Sequence, residues 1–219
     1  MAEDFSIHLE TVARQLGEFA KDEAIAYCLA LLEEGTLTVP QLYEQVLAPA
    51  LNKIAIPRAQ EDNLIWREHA MTAIVRSIIE RARPYVIKEP GSVKNGAGRV
   101  LLVCPEDEYH ELGIRMGEDF FTIAGFETYF IGGNTPQETI VSAVETLLPD
   151  IVDIGVSNFL NLAQLKKIVA QLRQRIDARV KIAVSGSALG RSGKTAEDFG
   201  ADILINSFAD ILALGEARQ

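Results

Sequence analysis

The sequence predicts an α/β fold in two parts: an N-terminal four-helix bundle and a C-terminal doubly wound, five-stranded parallel sheet. Three observations predict it. The first ninety residues carry apolar positions at three- and four-residue spacings, the period of helices packed on one side. Residues 89–98, EPGSVKNGAG, crowd one Pro, three Gly, one Ser and one Asn into ten positions, the composition of a linker. Beyond them, short apolar runs alternate with amphipathic stretches, the pattern of buried parallel strands joined by crossover helices. The expected division is 1–88 for the bundle, 89–98 for the linker and 99–219 for the sheet domain.

In the first part, Val12, Leu16 and Phe19 mark one helix, and Ala24, Tyr27, Cys28, Leu31 and Leu32 a second that Gly35 ends as a C-terminal glycine. Thr38 is placed to cap a third helix, with Pro40 in its first turn. Its stripe is Leu42, Val46, Leu47, Ala50, Leu51 and Ile54. Pro49 predicts a kink or break, and Pro57 the end. Ala70, Ala73, Ile74, Ser77, Ile78 and Arg81 mark a fourth helix, expected to stop before Pro84 or fray toward Pro90. Short connections between four amphipathic helices predict an antiparallel bundle.

In the second part the strands are expected at 100–104, 126–131, 151–156, 180–184 and 203–205. Helices are expected at 112–124, 136–147, 160–176 and 195–199, with a last one capped by Ser207 and running through Leu214. A doubly wound sheet binds its ligand at the carboxyl ends of the strands, where the winding reverses. Functional residues should therefore follow strands one, three and four.

The chain has 219 residues, 21 Lys plus Arg against 31 Asp plus Glu, and a formal charge of −10. No basic field draws it onto nucleic acid or an anionic membrane. Met1-Ala2-Glu3-Asp4 lacks the pattern of a signal peptide, and no apolar run approaches the roughly 20 residues that span a bilayer. Cys28 and Cys104 sit in apolar runs of different halves, as buried thiols of a reducing compartment do. The expectation is a soluble cytoplasmic protein with no nucleic-acid or membrane partner.

After strand one comes Pro105-Glu106-Asp107-Glu108-Tyr109-His110-Glu111-Leu112-Gly113, the densest polar segment and the site of one of only three histidines. An imidazole on a loop can offer one nitrogen to a metal while a nearby carboxylate takes the other ring N–H and raises the donor's basicity. Glu108 has the spacing for this. It can equally be a surface carboxylate turned to water. Gly113 lets backbone pass close to a large flat ligand. Ser157, Asn158 and Phe159 follow strand three. Ser157 either contacts a ligand or caps the helix near Leu160. Gly186 and Ser187 follow strand four and leave a slot lined by backbone N–H groups.

Glu108-x-His110-x-x-Gly113, Ser157-x-Phe159 and Gly186-Ser187 together resemble the D-x-H-x-x-G, S-x-L and G-G signature of the cobalamin-binding domain family. That family includes modules of methionine synthase, corrinoid methyl carriers and cobalamin-dependent mutases. The N-terminal half is similar to the helical domain that caps the corrin in methionine synthase, corrinoid proteins and light-sensing cobalamin regulators. The resemblance spans roughly residues 6–214. It implies a flavodoxin-like, Rossmann-like domain that holds the corrinoid base-off, with His110 as the lower cobalt ligand in place of the cofactor's own base. It also implies that Ser157, Phe159, Gly186 and Ser187 hold the displaced nucleotide tail. Three positions depart from the common motif: Glu108 stands for Asp, Phe159 for Leu and Ser187 for the second Gly.

Glu68-His69 resembles a Glu-His pair of the light-sensing branch, where a Trp lies ten residues earlier. Here that position is Arg58, and the one tryptophan is Trp66. His69 is read either as a contact to the upper face of the corrin or as an ordinary helix histidine. A response regulator needs clustered acids at the ends of strands one and three and a Lys after strand five, but strand three ends here in Gly155-Val156-Ser157 and strand five in Asn206-Ser207. A dinucleotide fold needs G-x-G-x-x-G after strand one, also lacking. The resemblance implies a cobalamin-binding protein carrying methylcobalamin, adenosylcobalamin or hydroxocobalamin. The Glu68-His69 match favours a sensor acting through a regulator protein, and the alternative is a methyl carrier serving a methyltransferase. No nucleophile–base pair is legible, so the chain is not expected to be an enzyme alone.

Overall fold

A computed structural model describes residues 5–53, 61–89 and 96–217. The chain divides into two compact units, Met1–Pro90 and Gly91–Gln219.

The first unit is helical. α1 (Ser6–Gly17) and α2 (Lys21–Glu33) are followed by a winding segment made of α3 (Val39–Gln41), a π-helical stretch Leu42–Leu47 and α4 (Ala48–Asn52). α5 (Glu61–Val86) is the long helix on which α2 packs. Gly35 has φ +69° just past α2, as a C-terminal glycine does. Thr38 and Gln41 form a reciprocal capping box, with Pro40 in the first turn.

Pro49 breaks nothing. The helix absorbs it through the π turn just upstream, where the Ala48 N–H reaches back five residues to the Tyr43 carbonyl. α5 likewise runs through Pro84 to Val86, so of its two expected ends it takes the one beyond Pro84, and Val86, Ala82 and Ile79 are buried on its packed side. Tertiary burial of that face outweighs the hydrogen bond that proline removes. Ile54, Pro57, Arg58, Pro90 and most of the expected linker lie outside the described residues.

The second unit is the doubly wound sheet. β1 (Arg99–Pro105), β2 (Glu127–Thr135), β3 (Ile151–Gly155), β4 (Lys181–Ser185) and β5 (Ile203–Ile205) are all parallel, in the order β2-β1-β3-β4-β5. The winding reverses between β1 and β3. Leu101, Val103, Val152, Ile154, Ile182 and Val184 point to one face and form a core with α7 (Gln137–Leu147) and α8 (Leu162–Arg175). The alternate residues face α6 (Leu112–Ile123). α10 (Phe208–Glu216), capped by Ser207, packs on α6, with the Phe120 and Phe208 rings 5.2 Å apart.

Two elements differ from expectation. β2 continues past Ile131 to Thr135, because two register shifts against β1 and Gly132 at φ +93° keep the strand paired through its glycines. The helix after β4 is α9 (Ser187–Ser192), and the expected 195–199 helix is a single 3₁₀ turn, Glu197–Phe199. Small residues at 185–190 read as loop, yet Ala188 and Leu189 are buried and anchor α9 to the sheet core. Both cysteines are buried free thiols, and burial pushes Cys28 up to about 12. No helix among the described residues is long and apolar enough to cross a membrane.

Candidate functional site

The carboxyl ends of β1 and β3 meet at the reversal of the winding, and the loops that leave them are stitched together by one side chain. Asp107 takes a left-handed backbone at φ +65°, which turns the chain so that Glu108 points inward. Glu108 is 0% exposed. Its Oε2 accepts from the backbone N–H of Ser157 (3.0 Å), the backbone N–H of Asn158 (2.9 Å) and the Asn161 amide (3.1 Å). Its Oε1 accepts from the His110 backbone N–H (3.1 Å) and meets His110 Nδ1 at 2.7 Å. Five donors fill the acceptor capacity of one carboxylate. The alternative of a surface carboxylate therefore fails.

Burial acts to push the Glu108 carboxyl up. Hydrogen bonds from the His110 ring, the Asn158 N–H, the His110 N–H and the Asn161 amide outweigh it and hold the group at about 2. Glu108 is thus an acceptor only, and His110 Nδ1 must be the donor. In the neutral ring this leaves the lone pair on Nε2. The His110 side chain is 55% exposed, so a buried anion orients a ring that reaches solvent.

Other residues brace the loop. Asn134, itself left-handed at φ +51°, accepts from the Asp107 N–H (3.0 Å) and donates its own N–H to the Glu108 carbonyl (2.8 Å). Glu111 accepts from the Gly133 N–H at 2.9 Å. Gly113 lies in the first turn of α6, where an added Cβ would meet nothing within 4 Å, leaving an open face beside His110.

The strand-three and strand-four residues gather at the same edge. Ser157 contributes its backbone N–H to Glu108, and the cap of the following turn is Asn158, whose side chain accepts from the Leu160 N–H at 3.0 Å. Phe159 is exposed, with the Arg191 guanidinium 5.1 Å from its ring centroid. Arg191 also donates to the Ser187 carbonyl and hydroxyl, and the Ser187 hydroxyl donates to the Ser157 carbonyl at 3.4 Å. Gly186 is sterically required: at φ +108°, an added Cβ would lie 2.3 Å from the Val156 carbonyl oxygen. Glu68 and His69 sit on α5 in the other unit, His69 exposed and two residues before buried Met71.

Sequence reasoning missed Asn161, Asn134, Glu111 and Arg191. For Asn161 the available signal was a lone amide between Leu160 and Leu162 at the start of an amphipathic helix. For Asn134 it was the Gly-Gly-Asn run that closes β2.

One protein imidazole with its second nitrogen tied to a carboxylate suits a metal whose other positions are filled by a macrocycle, as in haem ligation. Residues 98–213 match the B12 binding domain. The chain belongs to the B12-binding domain family. It is similar to the trimethylamine corrinoid protein 1 of Methanosarcina mazei, 24% identical over 156 residues, 70% of this chain and 71% of that one. It is also similar to the dimethylamine corrinoid protein of Methanosarcina barkeri, 21% identical over 188 residues, 84% and 86% of the two chains. The monomethylamine corrinoid protein of Methanosarcina barkeri shares the fold, with a TM-score of 0.78 at 14% identity over 99% of this chain and 100% of that one. The B12-binding domain accounts for the sheet unit and makes corrinoid binding its role. These relatives are corrinoid proteins named for methylated amines, so they favour the carrier alternative over the sensor that Glu68-His69 had favoured.

Proposed function

We propose that this protein is a corrinoid methyl carrier that passes a methyl group between partner methyltransferases. The observation that carries the reading is the buried Glu108 carboxylate holding His110 by Nδ1 at the switch point of the sheet. His110 Nε2 would be the lower cobalt ligand, with the cofactor base-off. Cobalt supplies the methyl-accepting and methyl-donating chemistry when the corrinoid is bound.

The chain's own residues do the rest. Glu108 fixes the His110 tautomer and makes Nε2 a better donor through the 2.7 Å bond. Asn161 and the backbone of Ser157 and Asn158 hold Glu108, so the ring cannot swing without breaking a buried network. Gly113 leaves room for the macrocycle. Ser157, Phe159, Gly186 and Ser187 line the edge where the nucleotide tail enters. Glu68 and His69 on α5 are assigned to the upper face. The partner is a methyltransferase, and the names of the relatives point to methylated amines as the ultimate methyl donors.

The test is reconstitution with methylcobalamin and hydroxocobalamin. The expected spectrum is base-off with histidine bound, and His110→Ala should lose it while the protein stays folded. A His110→Ala spectrum identical to wild type removes His110 as the ligand. Demethylation of the loaded protein by a partner methyltransferase supports the carrier. A change of oligomeric state on illumination of the adenosylcobalamin form, with no methyl transfer, would favour the sensor instead.

A further inference from the structure

Arg191 stands apart from other arginines of the sheet unit. Arg115, Arg173, Arg175 and Arg179 each pair with a carboxylate. Arg191 is exposed and pairs with none among the described residues, in a chain of net charge −10. It is nonetheless held in place. Its Nε donates to the Ser187 carbonyl at 3.0 Å and one Nη to the Ser187 hydroxyl at 3.3 Å, while the guanidinium carbon lies 5.1 Å from the Phe159 ring centroid. The Ser187 hydroxyl donates onward to the Ser157 carbonyl at 3.4 Å, which ties this clamp to the exit of β3. A guanidinium has five N–H donors, and Ser187 takes two. Three remain to offer at the edge where the loops after β3 and β4 meet.

Both residues of the clamp are departures from the common motif. A leucine at 159 would give the cation no π face, and a glycine at 187 would give it no hydroxyl. The two departures are therefore coupled, since each holds the same arginine. The acids of this region do not answer its charge. Glu108 is buried and saturated by five donors. Asp153, in the middle of β3, is 1% exposed and accepts from the Ser185 hydroxyl at 3.1 Å, and burial pushes its carboxyl up to about 7. A fixed, solvent-facing guanidinium with spare donors and no protein anion is arranged for an anion that arrives with the ligand.

We propose that Arg191, positioned by Phe159 and Ser187, hydrogen-bonds the phosphodiester of the bound cobamide and so makes this chain select corrinoids that carry that anion. This rests on the corrinoid reading above and deepens it to a specificity. A phosphodiester stays ionised across the physiological range, and its two free oxygens suit the parallel donors of a guanidinium. The clamp fixes Arg191 before the ligand arrives, so little side-chain freedom is lost on binding.

The experiment measures dissociation constants of the full chain for three probes: hydroxocobalamin, hydroxocobinamide phosphate, which has the phosphate without the base, and hydroxocobinamide, which has neither. Wild type should bind cobinamide phosphate about five- to tenfold more tightly than cobinamide at low salt, and the advantage should shrink at about 0.5 M salt. Arg191→Gln should bring these two probes within about twofold, leaving cobinamide binding unchanged. Arg191→Lys should keep only part of the advantage, because an ammonium cannot stack on Phe159, bond Ser187 and present a fork together. Phe159→Leu and Ser187→Gly should each reduce the advantage, and neither should change it further when Arg191→Gln is already present. Equal binding of cobinamide and cobinamide phosphate by wild type overturns the proposal without any variant. So does an advantage that survives in folded Arg191→Gln. An equal loss for all three probes in Arg191→Gln makes the residue a brace of the loop and overturns the proposal as well. If wild type binds none of the three probes, the corrinoid reading itself falls.

Discussion

Asn161 Nδ2 lies 3.1 Å from Glu108 Oε2, and this contact ties the turn after β3 to the loop after β1 across the reversal of the winding. The same amide reaches the Asp107 carbonyl at 3.3 Å. A residue 53 positions away in sequence thus sets the orientation of the carboxylate that orients His110.

Replacing that amide should expose the dependence. Asn161→Leu fills similar volume but withdraws one of three donors from Oε2 and one from the Asp107 carbonyl. The loss should be about 1–3 kcal/mol in urea unfolding of the protein without cofactor. Corrinoid affinity should fall alongside, as the His110 ring gains freedom. Wild-type stability in Asn161→Leu would show that the two backbone N–H groups suffice to hold Glu108.

The architecture was legible because the sheet is buried on both faces. Val100–Cys104 and Ile151–Val156 are runs that only a covered parallel strand explains, and Thr38 and Ser207 announce their helices by local chemistry. The Glu108-His110 pair was legible because both partners lie in one short loop. What escaped was long-range or compensated. Asn161 acts across 53 positions, and nothing local distinguishes it from a helix-surface amide. Pro49 and Pro84 look like helix ends, but a π turn and a buried face sustain the helices around them. Asp153 escaped because it lies inside the apolar run Ile151–Val156, whose neighbours alone mark the strand.

Gly186→Ala should be severely destabilising. The position holds φ +108°, where side chains are strained, and the new methyl would meet the Val156 carbonyl oxygen at 2.3 Å and the Val156 nitrogen at 2.9 Å. These are backbone atoms of the strand-three exit, so neither side can yield cheaply. The cost should exceed roughly 3 kcal/mol in thermal or urea unfolding. Gly113→Ala is the matched control: it has open space around it and a helical place, so stability should hold or rise slightly.

Asp153 should make the protein less stable as pH rises. Its folded value is about 7, while an unfolded aspartate titrates near 3.8. Between those values the unfolded chain releases a proton that the folded chain keeps, so the unfolded state binds fewer protons and stability falls with increasing pH. The loss begins near pH 4, grows to about pH 7 and then levels off. Its ceiling is roughly 4 kcal/mol. Asp153→Asn removes the ionisation and should flatten this slope, gaining most over wild type at pH 8 and least at pH 4. Parallel slopes for both proteins across that window would show that the carboxyl does not stay protonated in the fold.

Glu108→Gln separates charge from shape at the centre of the site. The wild-type carboxylate accepts on both oxygens, three donors on one and two on the other. Glutamine has one acceptor oxygen and one NH₂. If its oxygen faces Ser157, Asn158 and Asn161, its NH₂ confronts the His110 backbone N–H and donates to Nδ1. The ring proton then moves to Nε2, the nitrogen proposed to meet cobalt. If the amide flips, its NH₂ opposes three donors instead, and the loop loses its anchor. Either way the tautomer and the loop geometry no longer agree. Cobalamin affinity should drop by about 10–100-fold, with loss of the histidine-bound spectrum. Stability above pH 5 should fall by about 3 kcal/mol, because a carboxyl held at about 2 contributes above its unfolded value of 4.5 and loses that contribution as pH falls through 2. Below pH 2 the two proteins should converge. Retention of both affinity and spectrum in Glu108→Gln would mean that the imidazole is oriented without the anion.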